Sequence, residues 1–378
     1  MEPKYIVREK DLDQNLQVIL EKAKGKIIWG VVKGDGYGLG LAYLAQKLNS
    51  CGITHFAVTS LPEARGVRDA GLTENPVLML RGATDPQEAE ELLRLDVICS
   101  VGSREDAEVL EAAAERLGVT ARAHVEIDTG MGRYGFLPAE LPWILPLYRG
   151  EYAHIRVTGT YTHFHTAGHP KVTAHQFERF QQVLRFLQFM ECDPGMIHCC
   201  NSLAFWKYPQ YHMDAVRLGS VFLGRVSYAE EAGLSRVGWV EAPIQEVREV
   251  QAGSNVGYGS ACTVQEDTTL AVVGVSYYHG FAVERGYDVY RPQDCLRNMA
   301  RYLKYMLTGR KLKVYIADTL CPVLGHVGML NLVADVTGLE CRPGDPVYIP
   351  VNPLDRKGME IEYRPADQEG KPSSRFRP

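Results

Sequence analysis

The sequence lacks the long apolar run, of roughly 18–20 residues, that a bilayer-spanning helix requires. Its opening, MEPKYIVREKDLDQNLQ, is polar and charged and does not read as a secretory leader. It has no C-x-x-C pair and no His/Cys spacing of a zinc site, which excludes the common structural metal folds. The nine cysteines read as reduced core or surface thiols, with the adjacent pair Cys199–Cys200 in an apolar strand. It has no surplus of positive charge either. With 41 Lys+Arg against 46 Asp+Glu, the net charge of −5 offers no attraction to nucleic acid or to an anionic membrane. These absences point to the cytoplasm, to no nucleic-acid or membrane partner, and to no metal. The composition that remains, 46% apolar and 23% charged, is that of a globular chain, long enough at 378 residues for one large and one smaller domain.

Short apolar runs alternate with amphipathic stretches from residue 26 onward. The expected strands are Lys26–Lys33, His55–Ser60, Pro76–Gly82, Val97–Gly102, Arg122–Gly130, Ile155–His165, Met196–Ser202 and Ala215–Gly224. Between them lie helical patterns such as Glu105–Leu117 and Ala174–Met190, the latter with Phe177, Phe180, Val183, Leu184 and Leu187 on one face. Near-continuous apolar strands alternating with helices indicate a covered parallel sheet, and eight such units over about 200 residues match an α/β fold of the TIM type, a (β/α)8 barrel. We assign it to residues 1–234. Beyond about residue 235, β-branched segments dominate, as in APIQEVREV, TLAVVGVSYY and DPVYIPV, so residues 235–366 are expected to form a smaller, mostly β C-terminal domain. It is interrupted by one helical pattern at Gln293–Leu307, and residues 367–378 have the composition of a disordered tail.

Catalytic groups of such barrels come from the C-terminal ends of the strands. Here those ends carry Lys33 before GDGYGLG, then IDTGMGRYGF, THFHT and HCCNS, and finally Arg217 before LGS. The glycine-rich run after Lys33 matches neither a dinucleotide fingerprint nor a P-loop. A lysine closing an apolar strand is desolvated, which favours the free amine needed to form an imine. The clustered His163, His165 and His169 precede Pro170 and suit loop and cofactor roles better than a ligand set.

The segment IIWGVVKGDGYGLG resembles the pyridoxal-phosphate attachment segment of the alanine racemase family, V-K-A-x-x-Y-G-H-G, with Gly34 for the usual Ala and Leu39 for the usual His. The segments DTGMGRYGF, THF, HCCNS, VRLGSVFLG, NVGYGS and IEYRP resemble further family motifs, in order and at comparable spacing. The resemblance implies pyridoxal phosphate held by Lys33 as a Schiff base. It also implies Tyr37, His198 and Ser202 in the cofactor site, and Arg133 near the cofactor's phenolic oxygen and the substrate carboxylate. Arg217 would face the pyridine nitrogen, the Gly219 and Ser220 N–H groups with Tyr363 would hold the phosphate, and Asn201 would support them. Tyr258 would be the second base, tuned by His163 and supplied by the partner of a head-to-tail homodimer.

Two bases suit racemisation, which removes a proton from one face of an α-carbon and returns one to the other. An arginine facing the pyridine nitrogen can only donate, so it weakens the ring as an electron sink and favours racemisation over transamination. A decarboxylase or lyase on the same scaffold, or a cofactor-binding protein without turnover, are the alternatives. Several family members carry a carbamylated lysine where this chain has Glu126, which is therefore expected to orient Arg133 as a ready-made anion. The entrance also departs from the family. Gly328-Met329-Leu330 stands for C-M-D, His279 follows the gating Tyr277 and Tyr278 in place of an acid, and Gln293–Leu307 is inserted. Met329 and Tyr277 would still touch the substrate, which is alanine or another small amino acid.

Overall fold

The computed structural model describes residues 2–283, 288–309 and 311–365; the tail expected to be disordered lies outside them. The chain starts with β1 (Lys4–Arg8), followed by the eight strands of a closed parallel barrel. These are β2 (Ile27–Val31), β3 (His55–Val58), β4 (Val77–Met79), β5 (Val97–Val101), β6 (Ala121–Ile127), β7 (Ile155–Thr162), β8 (Met196–His198) and β9 (Ala215–Leu218). Each lies within or overlaps a strand expected from the sequence, and β2 pairs with β9 to close the ring, Ile27 opposite Ala215.

The covering helices follow their own local rules. Helix Arg104–Leu117 is capped by Ser103, whose hydroxyl accepts from the Asp106 N–H at 3.0 Å, and ends at the left-handed Gly118. It buries Ala107, Leu110, Ala113 and Ala114. Helix Pro170–Phe189 begins at its proline, four residues before the expected start, because a proline loses no helical hydrogen bond in the first turn. Phe177, Phe180, Val183 and Leu187 are buried as expected.

Inside the barrel the period-two alternation of strands stacks side chains in layers that climb toward the C-terminal mouth. On β2 and its extension these are Trp29, Val31 and Lys33, on β6 His124 and Glu126, and on β7 Gly159, Tyr161 and His163. Trp29 is fully buried and touches the His55, His124 and His198 rings edge-on or tilted, at 5.0, 5.7 and 6.3 Å. Its indole N–H donates to Met196 Sδ at 3.3 Å. Gly159 makes room for this layer, since a Cβ there would stand 2.6 Å from His124 Nε2.

The second unit joins Met1–Asp11 to Arg236–Pro378. This departs from the expected boundary, which placed the first residues with the barrel. β1 is the reason: it pairs antiparallel with β10 (Trp239–Val250), Tyr5 opposite Val240. The remaining strands are β11 (Thr268–Val273), β12 (Lys313–Ile316), β13 (Thr319–Pro322), β14 (Leu332–Asp335), β15 (Pro346–Ile349) and β16 (Glu360–Arg364). The sheet runs β13-β12-β15-β10-β1-β16, with β11 and β14 continuing from the far part of β10 beyond a bulge at Ile244/Glu246. β1 also pairs parallel with β16, where Arg364 grips Glu241 through two bonds of 2.8 Å. The inserted helix spans Pro292–Thr308, with Leu296, Met299, Leu303 and Met306 all exposed.

Replacing Gly159 by Val is expected to lower the thermal unfolding midpoint, by a destabilisation of roughly 1–3 kcal/mol typical of overpacking. A calorimetric scan reads it, and an unchanged midpoint contradicts the layered packing.

Candidate active site

After β2 the chain makes a left-handed turn through Gly34, Asp35, Gly36 and Tyr37, with φ of 62°, 53°, 62° and 55°. Two glycines carry half of that conformation without Cβ strain, which explains Gly34 where a branched or larger residue would be strained. Glu63 pins the turn. One carboxylate oxygen accepts from the Gly34 N–H at 2.8 Å, and the other from the Thr59 N–H at 2.7 Å and hydroxyl at 3.0 Å.

Lys33 thus opens into a cavity of about 320 Å³ at the barrel mouth, shared with Arg81, Glu126, Arg133, Tyr161 and His163. Lys33 is reached by solvent, yet the cavity walls desolvate it enough to lower its pKa. The Arg133 guanidinium acts in the same direction and Glu63 opposes both. Arg133 is exposed, and stacks against the Tyr134 ring at 5.1 Å.

Below them Arg217 is buried, at 3% exposure, and its partners are neutral acceptors. NH1 donates to His198 Nδ1 at 2.6 Å and the His198 carbonyl at 3.2 Å; NH2 donates to the Thr162 carbonyl at 2.7 Å and His163 Nδ1 at 3.2 Å. A guanidinium cannot accept, so both imidazoles must present a bare Nδ1 and carry their proton on Nε2. His198 then donates from Nε2 to His124 Nδ1 at 2.9 Å, which fixes the same tautomer on His124. Burial, with Arg217 adding to it, depresses all three: His124 and His163 to about 3 and His198 well below its ordinary value. The fifth Arg217 donor, Nε–H, has no acceptor among the described residues.

At the end of β9, the Tyr37 ring packs on Gly219, where a Cβ would lie 2.2 Å from the phenol oxygen. The Gly219 N–H donates to Ser202 Oγ at 3.2 Å. Ser202 is placed by Asn201, which accepts from the Ala204 N–H at 3.0 Å and donates to the Phe164 carbonyl at 3.1 Å. Tyr37, Ser202 and Ser220 thus bring three hydroxyl groups to the end of β9 beside Gly219, a donor set that suits a phosphate. A lysine amine, a spare arginine donor and these hydroxyls fit pyridoxal phosphate.

The barrel therefore carries Lys33, Tyr37, Glu126, Arg133, His163, His198, Asn201, Ser202, Arg217, Gly219 and Ser220. The other expected residues belong to the second unit. Tyr258 stands 77% exposed in a short turn after Gly257 (φ 76°), and Tyr363 lies on β16 opposite Val7. Tyr277 and Met329 are exposed, and Ser276 ties their segments by donating to the Met329 carbonyl. Glu126 corrects the sequence reading. It makes no hydrogen bond or ion pair with Arg133 among the described residues, and its partner is the Tyr161 hydroxyl, 2.9 Å away. The strand-end rule, applied to β3 and β4 as well, would have found Thr59, Leu80 and Arg81, which also line the cavity. Glu63 and Tyr161 carry no such signal, one sitting in a helix and the other inside a strand.

The fold and the mouth together define a (β/α)8-barrel protein whose mouth has the residues to hold pyridoxal phosphate. The family described as alanine racemase, N-terminal domain, matches residues 7–226, and that described as alanine racemase, C-terminal domain, matches residues 237–362. The chain is 30% identical over 332 residues to an alanine racemase of Desulfovibrio desulfuricans, covering 86% of this chain and 82% of that protein. It is 32% identical over 319 residues to alanine racemase 2 of Oceanobacillus iheyensis, covering 83% and 74%. The alanine racemase of Streptomyces coelicolor A3(2) superposes with a TM-score of 0.78 at 26% identity, over 93% of this chain and 88% of that one. That of Clostridium difficile 630 reaches 0.82 at 23% identity over 97% of both, a likeness of fold. The chain belongs to the alanine racemase family and is a pyridoxal-phosphate-dependent isomerase that interconverts amino-acid enantiomers.

The depressed histidines predict an acid sensitivity. A histidine with a folded pKa below its unfolded value stabilises fully above about 6.5, and that contribution is lost as pH falls toward about 3. The unfolding midpoint should therefore drop steadily over this window, and less steeply in His124→Asn; equal slopes in the two proteins would contradict buried neutral imidazoles.

Proposed function

We propose that this racemase acts on alanine, with Lys33 and Tyr258 as the two bases, and works as a head-to-tail homodimer in which each Tyr258 serves its partner's barrel. The observation that carries this reading is the desolvated Lys33 amine beside an Arg133 that has no acidic partner among the described residues. Such an arginine is free to take the α-carboxylate of an amino acid. The small cavity and the names of the relatives favour alanine, even though the entrance residues Met329 and Tyr277 sit among departures from the family pattern. The decarboxylase and non-catalytic readings are not favoured, since the relatives compared are racemases. Among the described residues no helix is long and apolar enough to cross a membrane. We place the protein in the cytoplasm, where its free cysteines stay reduced.

When bound, pyridoxal phosphate supplies an electron sink that makes the substrate's α-proton removable. Lys33 would hold it covalently, the spare Arg217 Nε–H would meet its ring nitrogen, and Tyr37, Ser202, Gly219 and Ser220 would hold its phosphate. Arg133 anchors the substrate carboxylate. The Lys33 amine, whose pKa desolvation and Arg133 lower against the pull of Glu63, takes or returns the proton on one face of the α-carbon. Tyr258 does so on the other. A phenol titrates near 10 when unperturbed, so this base requires help. His163 has that help to give. Its Nδ1 is occupied by Arg217, and its Nε2–H remains to donate to the phenolate oxygen.

Two variants test the assembly together. Lys33→Ala should lose the visible absorbance of the bound cofactor and at least about a thousandfold of the alanine racemisation seen by chiral chromatography. Tyr258→Phe should keep the colour and lose turnover. Mixed from the unfolded state, the two inactive proteins should recover about a quarter of the wild-type sites, because half the dimers are hybrid and each hybrid holds one intact site. Hybrid dimers without activity would sink the shared-site reading.

A further inference from the structure

The floor of the cavity contains a chain of oxygens that can be counted proton by proton. The Met79 carbonyl lies 2.5 Å from Ser100 Oγ, which lies 2.7 Å from the Tyr161 hydroxyl, which lies 2.9 Å from Glu126 Oε2. Three contacts need three protons, and a carbonyl supplies none. The Ser100 proton must therefore fill the contact to Met79, and the Tyr161 proton the contact to Ser100. The contact between Tyr161 and Glu126 is then filled only if Glu126 brings its own. Were Glu126 ionised, Tyr161 would donate to it and Ser100 to Tyr161. Ser100 has a single proton for its two contacts, so either that donation leaves the contact to Met79 without a proton or, if Ser100 turns to Met79, the contact to Tyr161 sets two bare oxygens against each other. All three side chains are buried, Ser100 at 2%, Tyr161 at 1% and Glu126 at 3%, where such a mismatch is costly.

The surroundings agree. Arg217 on β9, Arg133 in the loop after β6, Asp128 beyond β6 and Tyr161 on β7 face Glu126, and the Gly135 backbone packs on its Cγ. A hydrogen bond from Tyr161 and the two cations, neither of which bonds to the carboxyl, favour the anion, but burial, the largest influence, together with Asp128 leaves the Glu126 pKa raised.

We propose that Glu126 is a protonated, neutral acid in the resting enzyme. It heads the chain Glu126–Tyr161–Ser100–Met79 and acts as a positioning residue that leaves the Arg133 charge open to the substrate. The protonation stands on the geometry alone; the role toward Arg133 rests on the carboxylate reading proposed above.

Infrared spectroscopy of the holoenzyme at neutral pH tests it. The expected result is a carbonyl band of a protonated carboxylic acid that moves on 13C-glutamate labelling. Glu126 is the one buried glutamate among the described residues, so the band is expected to vanish in Glu126→Gln. It should shift in Tyr161→Phe, which removes its acceptor. Absence of an acid band, or a band indifferent to both labelling and Tyr161, overturns the protonation whether or not the enzyme racemises alanine. The positioning role is read from rescue. Glu126→Ala should raise the amino-acid KM about tenfold, while Glu126→Gln, a neutral donor of similar shape, should return it to within about threefold. Equal KM values in the two variants overturn that role.

Discussion

The buried Arg217 guanidinium is the constraint around which the barrel's upper interior is arranged. It lies among rings and carbonyls with no carboxylate bonded to it among the described residues, so every acceptor it meets there has to be a neutral lone pair. That requirement sets the tautomers of His198 and His163 directly and of His124 one bond further away. Tyr161 is clamped by the same group, with the guanidinium 4.9 Å from its ring centre and the His198 ring stacked at 4.9 Å. A rotation of any one of these side chains would leave a buried charge unsatisfied, which is far more costly than a missing surface ion pair.

Above that layer the electrostatics turn to the reacting groups. Lys33, Arg133 and Arg217 put three basic side chains near one mouth, and desolvation with the Arg133 charge lowers the pKa of the one group able to lose its proton easily, the lysine. Glu63 restrains the effect while fixing the left-handed turn that presents Lys33. One carboxylate thus couples backbone geometry to the charge state of the amine. Glu126, the acid that lines the cavity, is turned toward Tyr161 rather than toward the arginine.

Much of this could be read from the chain. All eight barrel strands showed as apolar runs, because strands buried on both faces have little room for polar residues. Lys33, Arg133, His163 and Arg217 stood out because each is a polar residue at the end of such a run. The partners of these groups did not show. Tyr161 and His124 look like ordinary interior residues of their strands, and Glu63 like any acid in the first turn of a helix. The membership of β1 was equally hidden, since five residues reading KYIVR can join any sheet that offers an edge, and only pairing with β10 and β16 decides which.

The sequence by itself determined the two architectures, the order of the strand-end residues and the chemistry available at the barrel mouth, since periodicity and residue type are local properties. Only the tertiary structure decided the charge states and the partners. These depend on what lies within a hydrogen bond in space: Glu126 against Tyr161 rather than Arg133, Glu63 against Gly34, and three imidazoles kept neutral by burial beside one arginine. A carboxyl or an imidazole carries both of its protonation states in its covalent formula, and it is the packing around it that selects one.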